Sequence, residues 1–316
     1  MEHRIAISHA CGIVAEAILE KLNASGFEPD SLLLLDQESN VGKRLAFGSG
    51  FLAVQNQYDF DYSSCALMLL TQADTTLESE ALNQGCLLIS HAIEREANAL
   101  FLAKDAPEPV LSYSEASWRL AGAELSCLMP VLLQLNRMQS ISQLNITLMR
   151  SAEFRDKAGV DELASQTIAL LSAREVVADV FPEQIAFNLL PEATDSRLST
   201  DLNHFMGTIS YTPALQTINV PIFHGFAAAV QLRFASDVAL EDCYQHLESM
   251  DGLVLKQGAA SPISDCNQSF SCVISQLEQA SNQPSSLQFW MIADPMRYGL
   301  ANNFVNVTEF LLKSFL

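Results

Sequence analysis

Short apolar runs alternate with helix-periodic runs through the first 90 residues of the chain. Residues 4–8 predict a strand, a turn follows at residues 9–12, and residues 13–22 have the apolar spacing of a helix. Residues 32–35 predict a second buried strand that ends at Asp36. Later elements are predicted as strands at 51–54, 66–70 and 87–89 and a helix at 77–84. This alternation predicts an α/β fold with a doubly wound, Rossmann-like sheet.

The pattern changes after residue 122. Residues 128–135 predict a helix that starts just after Cys127, with Pro130 tolerated in its first turn. The remaining elements are predicted as helices at 160–171 and 240–247 and strands at 143–149, 216–220, 229–234, 270–273 and 287–292. The order of these elements predicts an α+β unit.

The last apolar-striped run, residues 300–316, predicts a long helix that returns to cover the first domain. We therefore expect two domains. The first is a Rossmann-like, NAD(P)-binding-type domain over residues 1–126 and 300–316. The second is an α+β dimerisation domain over residues 127–299.

Net charge and cysteine spacing exclude several kinds of partner and site. Acidic residues outnumber basic residues 37 to 17, which gives the 316-residue chain a net charge of −20. This charge repels phosphate backbones and anionic lipid, so we expect neither nucleic acid nor a membrane surface as a partner. No apolar run approaches the roughly 20 residues of a membrane span, and the first residues do not read as a signal peptide. Seven scattered cysteines without a C-x-x-C pair favour reduced thiols in a cytoplasmic protein and predict no metal site.

The turn after the first strand, HACGIVA, holds one glycine where a dinucleotide-binding turn has three. Its first residue, His9, would place an imidazole where a glycine lets phosphate approach. Two interpretations stay open, an ordinary turn between strand and helix or a small anion site at the helix N-terminus. The candidate cofactor-binding residues of this degenerate turn are Cys11, Gly12, Ile13 and Val14.

The charged residues at and after the end of the second strand do not agree on whether NAD or NADP would be preferred. Asp36 stands where an acidic residue would contact the ribose 2′-hydroxyl of NAD and disfavour the extra phosphate of NADP. Lys43 and Arg44 lie a few residues further on and would favour that phosphate. We therefore expect either no cofactor or weak binding of NADP or NAD.

Several motifs are shared with one enzyme family. Residues 181–191, FPEQIAFNLLP, and residues 293–309, ADPMRYGLANNFVNVTE, are the longest. Shorter ones are DELASQT at 161–167, VPIF at 220–223, GKRLAF at 42–47 and GCLLI at 85–89. With these motifs in one register from end to end, the chain resembles the aspartate-semialdehyde dehydrogenase family, and within it the Usg-like branch of paralogues.

The resemblance implies an NADP-binding first domain and a second domain that carries catalysis and a homodimer interface. It implies a reaction of amino-acid biosynthesis, the phosphate-dependent oxidation of L-aspartate 4-semialdehyde to aspartyl phosphate. In that reaction a cysteine attacks the aldehyde, a histidine acts as acid and base, and hydride passes to NADP. Such a relay needs an activated thiolate, an oriented base and an anion clamp.

When the resemblance is carried over position by position, the nucleophilic cysteine is retained and the residues that would assist it are replaced. Cys127 retains the nucleophile position, although Ser126 replaces the asparagine before it. Arg150 replaces the family's positioning glutamine, and the glycine-rich turn after it is absent. Asn219 replaces the arginine that binds the substrate carboxylate, and Phe226 replaces the catalytic histidine. A further family arginine falls near Arg95, across a one-residue gap.

Three alternatives remain open at this site. Cys127 is either a live nucleophile or a small buried residue inherited from an active ancestor. His224 is a candidate substitute base, because residues two apart share a face of a regular strand, but Gly225 disfavours a regular strand there. Arg150 and Arg155 either form a new anion pocket or pair with neighbours such as Glu153 and Asp156.

Two function classes follow. The favoured one is an aspartate-semialdehyde dehydrogenase homologue without the standard activity, a homodimer that acts through binding or assembly. Whether it also forms heterodimers with an active relative stays open. The alternative is an active, divergent NAD(P)-dependent aldehyde dehydrogenase that uses Cys127 as its nucleophile.

Overall fold

The computed structural model describes residues 4–92, 116–193, 195–207 and 211–314. Contacts divide the chain into two compact units, Met1–Ser126 with Gly299–Leu316, and Cys127–Tyr298. The described strands are β1 Ile5–Ile7, β2 Leu32–Asp36, β3 Arg44–Phe47, β4 Gly50–Asn56, β5 Leu67–Leu70, β6 Leu87–Ser90, β7 Ser117–Arg119, β8 Ile141–Arg150, β9 Leu190–Glu192, β10 Ala214–Asn219, β11 Phe226–Phe234, β12 Leu253–Lys256, β13 Cys272–Glu278 and β14 Ser286–Ala293. The described α-helices are α1 Ile13–Ala24, α2 Thr75–Asn83, α3 Ala123–Met138, α4 Asp156–Leu171, α5 Ser196–Met206, α6 Leu240–Glu248 and α7 Asn302–Ser314.

The first unit contains a seven-stranded sheet in the order β3-β4-β2-β1-β5-β6-β7. Every pair is parallel except β3 with β4, which is antiparallel. Strands β1, β2 and β5 are buried along their whole length, as is typical of parallel strands whose sheet is covered on both faces. This is the α/β arrangement that the sequence pattern predicts.

The second unit contains a mixed seven-stranded sheet in the order β12-β13-β14-β11-β8-β10-β9. Its fifth strand in this order, β8, pairs with β10 in parallel and with β11 in antiparallel orientation. On one face of β8, Leu144, Ile146 and Leu148 are buried and contribute to the core. On the other face, Gln143 is exposed and Asn145 is half-buried. The alternation follows the two-residue period of a strand.

The start of helix α3 differs from the prediction. The helix begins at Ala123, so Cys127 lies in its second turn and Pro130 in its interior. The apolar spacing of the helix already includes Leu125, which is buried, and Ser126 N donates to Gly122 O. Pro130 lacks the N–H group that an interior helical residue would donate to the carbonyl four residues earlier. The prediction was wrong because it assigned Pro130 to a first turn.

The end of the chain also differs from a single long helix. A π-helical segment, Pro295–Ala301, precedes α7, which spans Asn302–Ser314. A second π-helical segment spans Pro262–Cys266. The short strands β3, β7, β9 and β12 were not predicted, because runs of three or four residues give little periodic signal.

Candidate functional site

Three of the substituted positions lie side by side in the second sheet. Arg150 on β8 is the register partner of Asn219 on β10 and of Phe226 on β11. Side chains of directly paired residues leave a sheet on the same face. The structure therefore brings Arg150, Asn219 and Phe226 together.

The carboxylate of Glu192 lies at the centre of this group. Arg150 Nη1 donates to Glu192 Oε2 over 3.1 Å, and Arg155 Nη2 donates to Glu192 Oε1 over 2.6 Å. Asn219 Nδ2 also donates to Glu192 Oε2, over 3.1 Å. Two guanidinium groups and one amide are thus directed at an anion that the protein itself supplies. We call these four residues the Glu192 cluster.

Strand pairing explains how Glu192 reaches this position. Glu192 ends the three-residue strand β9 and lies opposite Thr217 on β10. Thr217 is two residues before Asn219, so Glu192 leaves the sheet on the same face as Asn219. The side chains of Glu192 and Arg150 are 23% and 17% exposed, so solvent screens their ion pair only in part.

The sequence did not single out Glu192 as a site residue. The expected partners of the two arginines were the nearby Glu153 and Asp156, whereas Glu192 is 42 residues from Arg150. The available signal was its place directly after the FPEQIAFNLLP motif, in a strand beside Asn219. Of the two alternatives for Arg150 and Arg155, the structure has the paired one, with Glu192 as the shared partner.

Phe226, at the position where the resemblance implies a catalytic histidine, makes an apolar contact. Phe226 has no exposed surface, and its ring centroid lies 6.2 Å from that of Phe154. The guanidinium carbon of Arg150 lies 5.6 Å from the centroid of Phe154, within the range of a cation–π contact. Phe226 therefore contributes apolar packing, and its side chain has no group that can transfer a proton.

A buried glutamate, also missed from the sequence, organises the loop before Phe226. Glu153 is 3% exposed, and its Oε1 accepts hydrogen bonds from Gly225 N at 2.5 Å and Ser151 Oγ at 3.2 Å. Its Oε2 lies 3.1 Å from His224 Nδ1. Gly225 has φ +101°, and a Cβ there would clash with Pro262, so the turn requires glycine. Strand β11 begins only at Phe226, which rules out a regular strand through His224.

Glu153 also sets the electrostatics of His224. Its hydrogen bond raises the pKa of His224, burial opposes that rise, and the nearby Asp294 and Arg297 act in opposite directions. Burial raises the pKa of Asp294 above its ordinary value. The His224 side chain is 49% exposed. Because Nδ1 faces Glu153, Nε2 is the ring nitrogen left to exchange a proton with solvent or a ligand.

Cys127 is not placed as an activated thiolate. None of its surface is exposed, whereas reactive cysteines are partly exposed and lie in electropositive surroundings. Its position in the second turn of α3 also removes the expected stabilisation by the first N–H groups of a helix. Burial raises the pKa of Tyr298, and the nearby Cys272 and Cys127 add to the rise.

In the first unit, the His9 side chain occupies the turn before α1 and contacts neighbouring polar groups. His9 has φ 47°, a left-handed conformation that glycine adopts without strain. Its ring contacts Ser8 Oγ through Nδ1 at 3.3 Å and Gln57 Nε2 through Nε2 at 3.4 Å. The candidate residues at the turn and helix start are all half-buried: Cys11, Gly12, Ile13 and Val14.

Asp36 is engaged by the protein backbone. Its carboxylate accepts hydrogen bonds from Cys11 N at 2.8 Å, Gln37 N at 2.7 Å and Asn40 Nδ2 at 2.9 Å. Burial opposes ionisation, but these hydrogen bonds outweigh it and lower the pKa of Asp36. An incoming ribose hydroxyl would have to compete with three existing donors.

The two basic residues near Asp36 also have local contacts. Lys43 Nζ donates to Asn40 Oδ1 over 2.5 Å, and the guanidinium carbon of Arg44 lies 5.4 Å from the ring centroid of Phe51. Both side chains are on exposed residues. Arg95, the remaining candidate, lies outside the described residues.

Within the part of the chain that the structure describes, no group of three or more His, Cys, Asp or Glu side chains has the arrangement of a metal site. No helix among the same residues has both the length and the apolar character needed to span a membrane.

Comparison with known proteins agrees with the motifs. Residues 156–298 match the family described as "Semialdehyde dehydrogenase, dimerisation domain". The chain is 27% identical to aspartate-semialdehyde dehydrogenase 2 of Vibrio cholerae, with 99% of each chain covered. It is 28% identical to a USG-1 protein homolog of Pseudomonas aeruginosa, with 99% of this chain and 98% of that protein covered.

A solved structure extends the agreement to the fold. A probable aspartate-semialdehyde dehydrogenase from Pseudomonas aeruginosa superposes with a TM-score of 0.89 at 26% identity, over 100% of both chains. The resemblance drawn from the motifs and the predicted α/β fold class are thereby confirmed. The chain is similar over its whole length to aspartate-semialdehyde dehydrogenases and USG-1 homologs, and its residues 156–298 match the semialdehyde dehydrogenase dimerisation domain.

Proposed function

We propose that this chain lacks the standard NADP- and phosphate-dependent semialdehyde dehydrogenase activity and is a dimeric pseudoenzyme that acts through binding or assembly. The Glu192 cluster is the observation that carries the proposal. Arg150 and Asn219 stand at substrate-handling positions of the resemblance, yet both bind a carboxylate of the chain itself. A substrate carboxylate would have to displace an attached competitor, whose effective concentration is on the order of millimolar or higher.

The other substitutions support the same proposal. A general acid–base group typically contributes about 10²–10⁴-fold to a rate, and Phe226 supplies none. Cys127 is buried, so an aldehyde carbon has no access to its sulfur in this state. Each loss alone would slow the relay. Together with the occupied arginines they remove its nucleophile, its base and its anion clamp.

Weak or absent dinucleotide binding belongs to this proposal. Asp36 already accepts three hydrogen bonds, and the imidazole of His9 stands in the turn where the resemblance has glycine. The N-terminus of α1 follows a single glycine, Gly12, and lacks the glycine-rich approach that a bound phosphate requires.

A second copy of this chain is the partner that we favour. Residues 156–298 match a dimerisation domain, and the second sheet exposes polar side chains on one face of its central strands. Those that are exposed on β8, β11 and β14 are Gln143, Gln231, Arg233 and Gln288. A homodimer, or a heterodimer with an active relative, follows as the functional assembly. Its place is the cytoplasm, in keeping with seven free cysteines.

A second candidate function rests on the Glu153–His224 pair. A buried carboxylate that orients a half-exposed imidazole is a common arrangement for acid–base chemistry. It supports an active, divergent NAD(P)-dependent aldehyde dehydrogenase, provided that Cys127 becomes exposed when ligands bind.

Cofactor binding separates the two candidates. We expect isothermal titration calorimetry of the purified dimer to detect neither NADP nor NAD at concentrations up to about 1 mM, a range that covers ordinary enzyme affinities. The same titration on the Vibrio cholerae relative provides the positive control. Micromolar binding of either dinucleotide to this chain would reject the pseudoenzyme and favour the divergent enzyme.

A further inference from the structure

Two buried cysteines of the first unit lie in contact. Cys65 Sγ and Cys86 Sγ are 3.4 Å apart, and the residues are 7% and 1% exposed. Each precedes a strand, β5 and β6, and these strands pair in parallel. Between the two thiols, Leu87 N donates to Ala66 O over 3.0 Å, which holds the two backbones side by side.

The two thiols are chemically different. A hydrogen bond from Cys86 lowers the pKa of Cys65, burial opposes this, and the charges of Arg4 and Asp61 act in opposite directions. The same hydrogen bond, together with burial, raises the pKa of Cys86. Cys65 is therefore the better thiolate, and Cys86 is a protonated neighbour in contact with it. Redox-sensitive pairs combine a low-pKa cysteine with such a resolving cysteine.

We propose that Cys65 and Cys86 form a reversible modification site, a dithiol that small peroxides oxidise to a disulfide. The Cys65 thiolate attacks one peroxide oxygen, the O–O bond breaks, and hydroxide leaves as Cys65 becomes a sulfenic acid. Cys86 sulfur then attacks Cys65 sulfur, the S–O bond breaks, and the thiol proton leaves with the hydroxyl as water. The sum is two thiols and one hydrogen peroxide giving one disulfide and two waters.

The geometry favours this bond over other fates of the sulfenic acid. The sulfurs must approach by about 1.4 Å to reach a disulfide length of roughly 2.05 Å. Rotation of two short side chains can supply such a movement without separating the strands. The surroundings are apolar, with Tyr62, Met68 and Leu77 in the same cluster, so water competes poorly with the Cys86 thiol.

Peptide mapping of the full-length protein tests the proposal. The reduced protein is treated with hydrogen peroxide, denatured, alkylated with iodoacetamide and digested with trypsin. No lysine or arginine lies between residues 44 and 95, so both cysteines fall in one tryptic peptide, residues 45–95. We expect that peptide to lose two hydrogen atoms and both alkylation sites, and to recover both sites after dithiothreitol.

The chain offers matched controls. Cys266 and Cys272 are also buried and interact electrostatically, but the pKa of both is raised, and we expect both to remain alkylatable after the same treatment. In Cys86→Ser we expect a sulfenic acid at Cys65 that dimedone traps, and in Cys65→Ser no oxidation at Cys86. Full alkylation of both residues in oxidised wild type would overturn the proposal. So would oxidation confined to the half-exposed Cys11.

Discussion

Arg150 and Asn219 are register partners on adjacent strands, and both donate to the same oxygen of Glu192. This relationship links two substitutions that are 69 residues apart in sequence. With Arg155 on the second oxygen, the carboxylate is held from three sides. The three donors are therefore engaged by an anion that the chain itself supplies.

Removal of Glu192 should weaken the fold and expose the arginines. We expect Glu192→Ala to lower the free energy of unfolding by about 1–2 kcal/mol, because the hydrogen bonds are charge-assisted but partly solvated. Urea denaturation measures this loss. Sulfate should then raise the Tm of the variant more than that of wild type, because the guanidinium groups lack an anion.

The control for this substitution is Glu183→Ala, at an exposed glutamate of the same unit. We expect it to change neither stability nor the response to sulfate. An equal sulfate response in wild type and Glu192→Ala would contradict an anion site filled by Glu192.

Restoring a histidine at position 226 should destabilise the protein without creating an enzyme. Phe226 has no exposed surface, so we expect Phe226→His to cost about 2–4 kcal/mol through lost packing and a buried polar ring. Phe226→Leu, which stays apolar, should cost less than about 1.5 kcal/mol. Denaturation at neutral pH compares the two. A histidine variant as stable as wild type would mean that this space is already polar and hydrated.

The Glu153–His224 pair should make stability depend on pH. A histidine whose pKa is raised by folding stabilises the native state fully below its unfolded pKa of about 6.5, and that contribution is lost as pH rises through the folded value. The advantage of wild type over His224→Gln should therefore be greater below that pH than above the folded pKa. Chemical denaturation across a pH series measures the difference.

A second variant identifies the cause of the shift. In Glu153→Gln we expect proton NMR to show the pKa of His224 moved down towards its ordinary value, because the charged partner is gone while Asp294 and Arg297 remain. An unchanged pKa would assign the rise to Asp294 and remove the basis for an imidazole oriented by Glu153.

The buried Cys127 should be protected from alkylation in the folded protein. We expect iodoacetamide to modify the half-exposed Cys11 first and to reach Cys127 only after addition of urea. Mass spectrometry of timed samples reads both sites. Labelling of native Cys127 as fast as Cys11 would show that the thiol is accessible, which the divergent-enzyme alternative requires.

The elements that could be predicted from the sequence are those with a clear apolar pattern of their own. Most strands of both sheets follow from apolar runs, whereas β3, β7, β9 and β12 do not. The motif alignment predicts substitutions at Arg150, Asn219 and Phe226. That these three residues are neighbours follows only from strand register, which the sequence pattern does not provide.

The parts that escaped prediction depend on contacts distant in sequence. Glu192 lies in a three-residue strand, and nothing local distinguishes it from a solvated acid. Glu153 was considered only as a neighbour that could pair with Arg150 or Arg155, yet it is buried and contacts the backbone N–H of Gly225 and the ring of His224. The start of α3 was misplaced because proline is usually found in the first turn of a helix. Here Pro130 lies within the helix.

Turnover is the most direct test of a retired active site. Purified protein receives L-aspartate 4-semialdehyde, phosphate and either NADP or NAD, and the absorbance of reduced nicotinamide is followed beside the Cys127→Ala variant and the Vibrio cholerae relative. We expect the wild-type rate to equal that of Cys127→Ala, in a protein shown to be folded and dimeric. Phosphate-dependent turnover that disappears in Cys127→Ala would contradict the account and establish an active enzyme.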